Sequence, residues 1–440
     1  MKEAAQIKEN LLQMIEEIGK EYRNYVRNPD TDFSRVKKWS FTDIMRFILM
    51  MEGKALQAEL LNFFDFSPDT PTNSSFNQRR AQILPAAFEA LFRQFTQATC
   101  SGKYFRGYRL LACDGSNLGI AHNPEDKTTY RQSCPGTKGY NELHLNALYD
   151  LMAQTYTDAV IQPVRMMNEH KAMCEMVDRY QGDVKTIFLA DRGFECYNVF
   201  AHVQEKGMYY LIRAKDVTKQ GIIAASKALL PCCHGAFDTS VGLILTRQHK
   251  KKSLFNPAVY RKVTTTQTFD YLNPDTRPFY EMNFRVVRFP ITDNTFECII
   301  TNLPREEFSS EDIKDLYHMR WGIETSFREL KYAVGLTHFH AKKVEYIKQE
   351  IWARLLLYNF CMTLTLRTAL RKSHKKNKHV YQLNYTRAIY ICRYFLSLKE
   401  KAPPDIDLLI SKELLPVRPG RSDPRKVKFQ SAVSFLYRVA

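Results

Sequence analysis

Two aspartates in this chain share a local setting. Asp114 follows the apolar run 108–113 and precedes Gly115-Ser116; Asp191 follows the apolar run 186–190 and precedes Arg192-Gly193. Short apolar runs closed by turn residues read as buried strands. Both carboxylates then stand at strand ends, where neighbouring strands can bring them to one point. A third acid from a helix, Glu324, would complete an all-oxygen set suited to Mg2+ or Mn2+. Two such ions would activate an attacking water or hydroxyl and stabilise the leaving oxygen in an in-line phosphodiester displacement. No covalent nucleophile on the protein is then needed. A lone strand-end Asp is more often a turn former or cap; two of them with a helical Glu among cations make a different pattern.

The Glu lies in residues 317–331, which contain no Pro and one Gly, Gly322. The segment reads as a single helix. At 100° per residue, Tyr317, Arg320, Glu324, Arg328 and Lys331 fall within an arc of about 80°. One acid on a cationic, aromatic face is unsuited to a core and suited to holding a phosphate chain beside a metal ion. The plainer alternative is a solvated face with an Arg320–Glu324 pair at i, i+4, which leaves the clustering of Tyr, Arg, Glu and Lys unexplained.

The rest of the chain must position these groups. Its 440 residues are 45% hydrophobic and 12% aromatic, enough for real cores and too apolar for a disordered protein. Lys plus Arg is 64 against 47 Asp plus Glu, a net charge of +17. Such an excess points to a polyanionic partner, nucleic acid first. Ten cysteines are present without a CxxC pair, and Cys232-Cys233-His234 has no second ligand pair at zinc-finger spacing. Scattered thiols and an N-terminus without an apolar leader segment suggest a cytoplasmic protein. Residues 351–370 are the most apolar long stretch, yet carry Arg354 and Arg367; they read as a buried helix, not a membrane span.

Residues 1–100 look helical, with an amphipathic start over 7–22 and a polar turn over 68–75. Ser74 or Ser75 is placed to cap a helix opening Phe76-Asn77-Gln78-Arg79-Arg80. Helix, turn and a helix start bearing Arg79 and Arg80 suggest a helix-turn-helix DNA reader; a solvated basic helix start is the competing reading. Strands and helices alternate over 101–215 in an α/β layout. Residues 216–305 read as four strands with a Lys250-Lys251-Lys252 loop tip, a β-rich insertion separate from the preceding sheet. Ser309 to Asp312 form a cap for the next helix, and the chain beyond 351 is helical and basic.

The spacing Tyr317-x2-Arg320-x3-Glu324-x6-Lys331 resembles the YREK signature of the insertion-sequence-4 family of DDE transposases. Asp114 in Cys-Asp-Gly, Asp191 in Ala-Asp-Arg-Gly, Asn168-Glu169-His170, the insertion between the second Asp and the Glu, and the tail Arg418-Pro419-Gly420-Arg421-Ser422 are similar to the family as well. The resemblance implies an α/β fold: an RNase H-like catalytic core interrupted by the β-rich insertion domain and flanked by helical N- and C-terminal regions. Its parts would be 1–100 (DNA-binding), 101–215 (core, first part), 216–305 (insertion), 306–365 (core, second part) and 366–440 (basic, helical). It implies Asp114, Asp191 and Glu324 as metal-binding catalytic residues with Mg2+ or Mn2+, two ions. Tyr317, Arg320 and Lys331 would hold terminal DNA phosphates, Trp321 would pack on the DNA end, and Arg328 is expected to touch phosphate. Double-stranded DNA at the element ends and at the target, and a homodimer bridging two ends, are the implied partners. A nuclease of the same fold and an inactive DNA-binding repressor are the alternatives. Some relatives form a DNA hairpin and stack a flipped base on a Trp of the insertion; here the insertion has none, so either another aromatic, such as Phe255, Tyr260 or Phe269, takes that place or strand release follows another route.

Overall fold

The computed structural model describes residues 2–416, apart from 36–37, 101, 133, 232–234, 249–255, 257, 293–294, 370–380 and 399–403. The lysine tip 250–252, Cys232-Cys233-His234, Phe255 and the basic stretches 371–378 and 418–428 lie outside the described residues.

The chain opens with five helices: α1 (Lys2–Lys20), α2 (Phe41–Met50), α3 (Leu56–Phe63), α4 (Asn73–Arg80) and α5 (Pro85–Ala98). Trp39 is buried among Phe47, Phe63, Phe64 and Phe76, which fastens α2, α3 and α4 together. Thr72, rather than Ser74 or Ser75, caps α4, because the helix begins at Asn73 and Thr72 accepts from the Ser75 amide. Residues 64–72 separate α3 from α4, longer than the tight turn of a helix-turn-helix.

A sheet follows, built from β1 (Arg109–Ile120), β2 (Tyr130–Arg131), β3 (Tyr140–Asp150), β4 (Thr155–Pro163), β5 (Thr186–Ala190) and β6 (Tyr209–Ala214), with α6 (Glu169–Arg179) and α7 (Tyr197–Glu205) between strands. β4, β3 and β1 are antiparallel neighbours, and β1, β5 and β6 run parallel. After the short α8 (Ile222–Ala225) come β7 (Phe237–Thr246), β8 (Tyr260–Lys262), β9 (Phe279–Thr292) and β10 (Thr295–Thr301). Here the sequence expectation needs correction. The strands of 216–305 do not form a separate sheet: β10 pairs antiparallel with β6, and β9, β7 and β8 continue outward from it in one ten-stranded sheet. Their apolar side chains, Val241, Tyr280 and Met282 among them, share a core with α6 and α7, as does Phe269 from the connection between β8 and β9. Phe269 is therefore buried, which removes it as a stacking surface for a base.

The last described elements are α9 (Ser310–Met319), α10 (Trp321–Arg328), α11 (Val344–Ala369), α12 (Tyr385–Ser397) and α13 (Ile406–Lys412), with a small hairpin pairing Tyr381–Leu383 and Leu414–Pro416. Ser309 and Asp312 form a capping box that starts α9. α11 is the apolar stretch noted in the sequence, and it is a buried core helix packed on α5, α2 and α12. No described helix is long and apolar enough to cross a membrane. Alternation along the strands divides the sheet's surroundings in two. Leu110, Ala112, Ile187 and Leu189 face the core shared with α1, α2, α5 and α11, whereas Leu111, Cys113, Phe188 and Ala190 face α6 and α7.

Candidate active site

Strand register brings the first two acids together. β5 ends at Ala190, which lies opposite Cys113 of β1. Asp114 and Asp191 are the next residues on two adjacent parallel strands, whose spacing is about 4.8 Å. β1 itself continues to Ile120, because its antiparallel partner β3 extends that far; Asp114 is thus mid-strand and only its β5 neighbour has ended. The Asp191 carboxylate accepts from the Arg192 amide at 2.6 Å, and its chain turns away in a short helix.

Glu324 comes from the opposite layer. The segment 317–331 is not one regular helix: α9 ends at Met319, α10 begins at Trp321, and residues 329–333 form a π turn. The wider π turn shifts the phase, so the single 80° arc does not hold through Lys331. Gly322 lets α10 approach the sheet closely; a Cβ there would lie 2.9 Å from Leu151 Cδ2.

Arg320, at the junction of α9 and α10, occupies the middle. It is 5% exposed. Its Nη2 donates to Glu324 Oε1 at 2.7 Å, and its Nη1 stands 3.7 Å from Asp114 Oδ2. Its Nε and Nη1 have no hydrogen-bond acceptor among the described residues, an unusual condition for buried donors. Tyr317 is buried, lies under the Arg320 and Arg213 guanidinium groups, and donates its hydroxyl to Asp191 Oδ1 at 3.2 Å. Arg213, on β6, places Nε 2.7 Å from the same oxygen and Nη1 3.2 Å from Glu297. A charge inside the apolar strand Tyr209–Ala214 was the available signal for Arg213, and pattern reading passed it over.

The electrostatics of the acids differ. Burial, with smaller contributions from Glu324 and Asp191, pushes Asp114 up to about 6 against the pull of the Gly115 amide and Arg320. Burial acts the same way on Asp191, yet the Arg192 amide, Arg213 and Arg320 outweigh it and hold the group below its ordinary value. Three carboxylates that repel one another, held by Arg320 and Arg213, are a donor set of the hard, oxygen-only kind that divalent Mg2+ or Mn2+ prefers, and the residues fit such ions chemically. Among the described residues no three His, Cys, Asp or Glu groups stand close enough together to hold a metal ion; Arg320 fills the space between the acids.

Asp114, Asp191, Glu324, Tyr317 and Arg320 are thus gathered on one face of the sheet. Lys331 sits at its flank, donating to the Asn117 carbonyl at 3.0 Å, with burial lowering its pKa. Arg328 and Trp321 project outward, Trp321 being 58% exposed. Arg79 and Arg80 are elsewhere and inaccessible, which corrects the expectation that they read DNA. Arg80 donates to Gln349, to Glu350 and to the Tyr346 carbonyl of α11. Arg79 is buried over the Phe33 ring and bonds Gln82.

Two aspartates on adjacent strands answered by a helical acid are the layout of a carboxylate-based site. Residues 105–360 match the family model for the transposase DDE domain. The chain is 31% identical over 339 residues to the transposase InsG of insertion sequence element IS4 from Escherichia coli K12, covering 73% of this chain and 68% of that one. It is also 28% identical over 118 residues to the transposase of insertion sequence element IS231C from Bacillus thuringiensis, 26% of this chain and 24% of that one. A solved piggyBac transposase synaptic complex with hairpin DNA gives a TM-score of 0.48 at 10% identity, over 94% of this chain and 87% of that one, too distant a likeness to bear on function. The chain belongs to the DDE transposases, within them to the insertion-sequence-4 group, and is a DNA-processing enzyme.

Proposed function

We propose that this transposase excises its element by hydrolysing the phosphodiester bonds at the element ends and then joins the freed 3′ hydroxyls to target DNA. The observation that carries the reading is the gathering of Asp114, Asp191 and Glu324 around buried Arg320, beside the outward-facing Trp321 and Arg328. In it Asp114, Asp191 and Glu324 are the catalytic residues and hold two Mg2+ or Mn2+ ions, whose Lewis acidity would serve both attack and departure at phosphorus. Arg320 has two donors, Nε and Nη1, without acceptors among the described residues, so its guanidinium has N–H groups left to give to a phosphate oxygen. Tyr317 and Arg213 keep Asp191 ionised and oriented. Lys331 and Arg328 extend the cationic surface along the strand, and Trp321 offers a ring against the DNA end.

The strand order β4–β3–β1–β5–β6, an antiparallel meander followed by two parallel strands, supports an RNase H-like core over 101–215 and 306–365, with 216–305 as its insertion. The regions 1–100 and 366–440 would flank it. A net charge of +17 favours double-stranded DNA as partner and a strongly salt-dependent affinity. Coordinated cutting of two ends calls for two copies of the chain in one complex, acting in the cytoplasm.

The test is incubation with labelled element ends, a supercoiled target and Mg2+. Joined products are expected. Cleavage without joining would reduce the protein to a nuclease, and binding without cleavage would leave a repressor. A second outcome concerns pH. In the metal-free protein Asp114 has its pKa raised above the ordinary 3.8, to about 6. Its contribution to stability is therefore present below pH 4 and lost as pH rises through 6. Ions need the ionised carboxylate, so protons compete with them below pH 6. The Mg2+ concentration giving half-maximal cleavage should rise about fivefold between pH 6 and pH 5, which a Mg2+ titration of cleavage at both values would measure.

A further inference from the structure

The motif Asn168-Glu169-His170 has no part in the site just described, yet its side chains reach toward both strands that carry the aspartates. Asn168 caps α6, accepting from the Lys171 amide at 2.9 Å, and its own amide donates to Gln162 of β4 at 3.0 Å. That anchoring fixes where the next two side chains start. Glu169 turns toward β1 and β3: its Oε1 is 3.0 Å from Nε2 of His144, a buried ring whose Nδ1 is 2.6 Å from Asn117 Oδ1. The pair lies directly over Gly115, the residue after Asp114. A Cβ at Gly115 would come within 2.4 Å of His144 Nε2 and 2.6 Å of Glu169 Oε1, so glycine is what leaves room for them. His170 turns the other way. Its Nε2–H donates to the Gly193 carbonyl at 2.6 Å, in the turn that follows Asp191. The Glu169 carboxylate also lies on this side, 3.8 Å from where a Gly193 Cβ would be.

Two consecutive residues of one helix start thus hold the strand segment of one aspartate and the loop of the other. They do so from the α6 face of the sheet, opposite to Arg320. β5 stops at Ala190, so no ladder bond ties Asp191 to β1 beyond that point. Something else must set the spacing of the two carboxylates. We propose that Glu169 and His170, with His144, form a positioning clamp that sets the separation of Asp114 and Asp191 and so tunes how tightly the acids hold divalent ions. This rests on the reading of those acids as metal ligands.

The experiment measures Mn2+ binding to the full chain by electron paramagnetic resonance, without DNA, alongside the thermal midpoint and end-DNA affinity in chelator. Glu169→Gln, which keeps the shape and removes the charge, and His170→Ala should each bind Mn2+ about tenfold more weakly, the lower end of what outer-shell partners contribute. DNA affinity and thermal midpoint should stay near wild type. His170→Gln, whose side-chain amide can still donate to Gly193, should restore the affinity. Unchanged Mn2+ affinity in both variants overturns the clamp, as does a loss that merely follows a fall in thermal midpoint. Should alanine at 170 prevent folding, the isosteric Glu169→Gln carries the test. Asp114→Asn is the separate control: if it binds Mn2+ like wild type, the metal-ligand reading itself fails, whatever the clamp variants do.

Discussion

Glu324→Gln should lower end cleavage and joining by at least roughly 10³-fold while leaving binding to the element end intact. The substitution keeps the side chain's shape and its ability to accept from Arg320 Nη2, the 2.7 Å bond that anchors it now. Glu324 is partly exposed, so losing the charge does not strand a buried group. The thermal midpoint is then expected to move little. What disappears is one of three negative charges in the proposed donor set, and with it the charge that would hold the second ion on the proposed reading. Removing a carboxylate near phosphate also removes a repulsion, so DNA affinity should hold or rise slightly. The measurement is single-turnover cleavage of a labelled end, with binding followed by anisotropy in chelator. A variant that cleaves at near the wild-type rate would end the assignment of Glu324 as a metal ligand. A variant that loses DNA binding along with cleavage would place it instead in holding the helix.

The three acids could be found in the sequence because each has a local signature, an apolar run closed by Asp or a Glu among spaced cations. Their proximity follows from strand register and from one helix crossing. Arg213 left only a faint mark, since its partner Asp191 is 22 residues earlier and Glu297 far later. Glu169 and His170 were visible as a motif, but their reach to Gly115 and Gly193 depends on how α6 sits across strand ends. The strands of 216–305 were legible as strands. Their membership of the main sheet was not, because the pairing of β10 with β6 is a long-range choice that alternation cannot reveal. The helical wheel failed past Arg328 for a different reason: a π turn is a local departure from 3.6 residues per turn. Arg79 and Arg80 misled most. A short helix rich in Asn, Gln, Ser and Arg carries every mark of solvent exposure, and nothing local announces a carboxylate 270 residues away.

That carboxylate underlies the second large effect. Arg80→Ala should destabilise the protein by roughly 3–5 kcal/mol. Arg80 and Glu350 are both 1% exposed and 2.9 Å apart, and the same guanidinium also satisfies Gln349 Oε1 and the Tyr346 carbonyl. Burial alone would raise Glu350, and Arg80 is the first of the partners that hold it below its ordinary carboxylate value. Deleting the arginine leaves an ionised group inside the α4–α11 seam with the His340 and Ala341 amides and the nearby His340 ring in support. Replacing both partners with apolar residues, as in Arg80→Met with Glu350→Leu, should recover much of the loss, because the desolvation cost of the pair is then removed as well. Denaturant titration of the three proteins measures this. The same variants decide whether Arg80 has any part in reading DNA. An arginine on phosphate contributes about one unit to the slope of log affinity against log salt. For Arg80→Met with Glu350→Leu, refolded and active, that slope should equal the wild-type slope. A slope shallower by one would put Arg80 back on the DNA and would mean that α4 leaves the α11 seam when the element end binds.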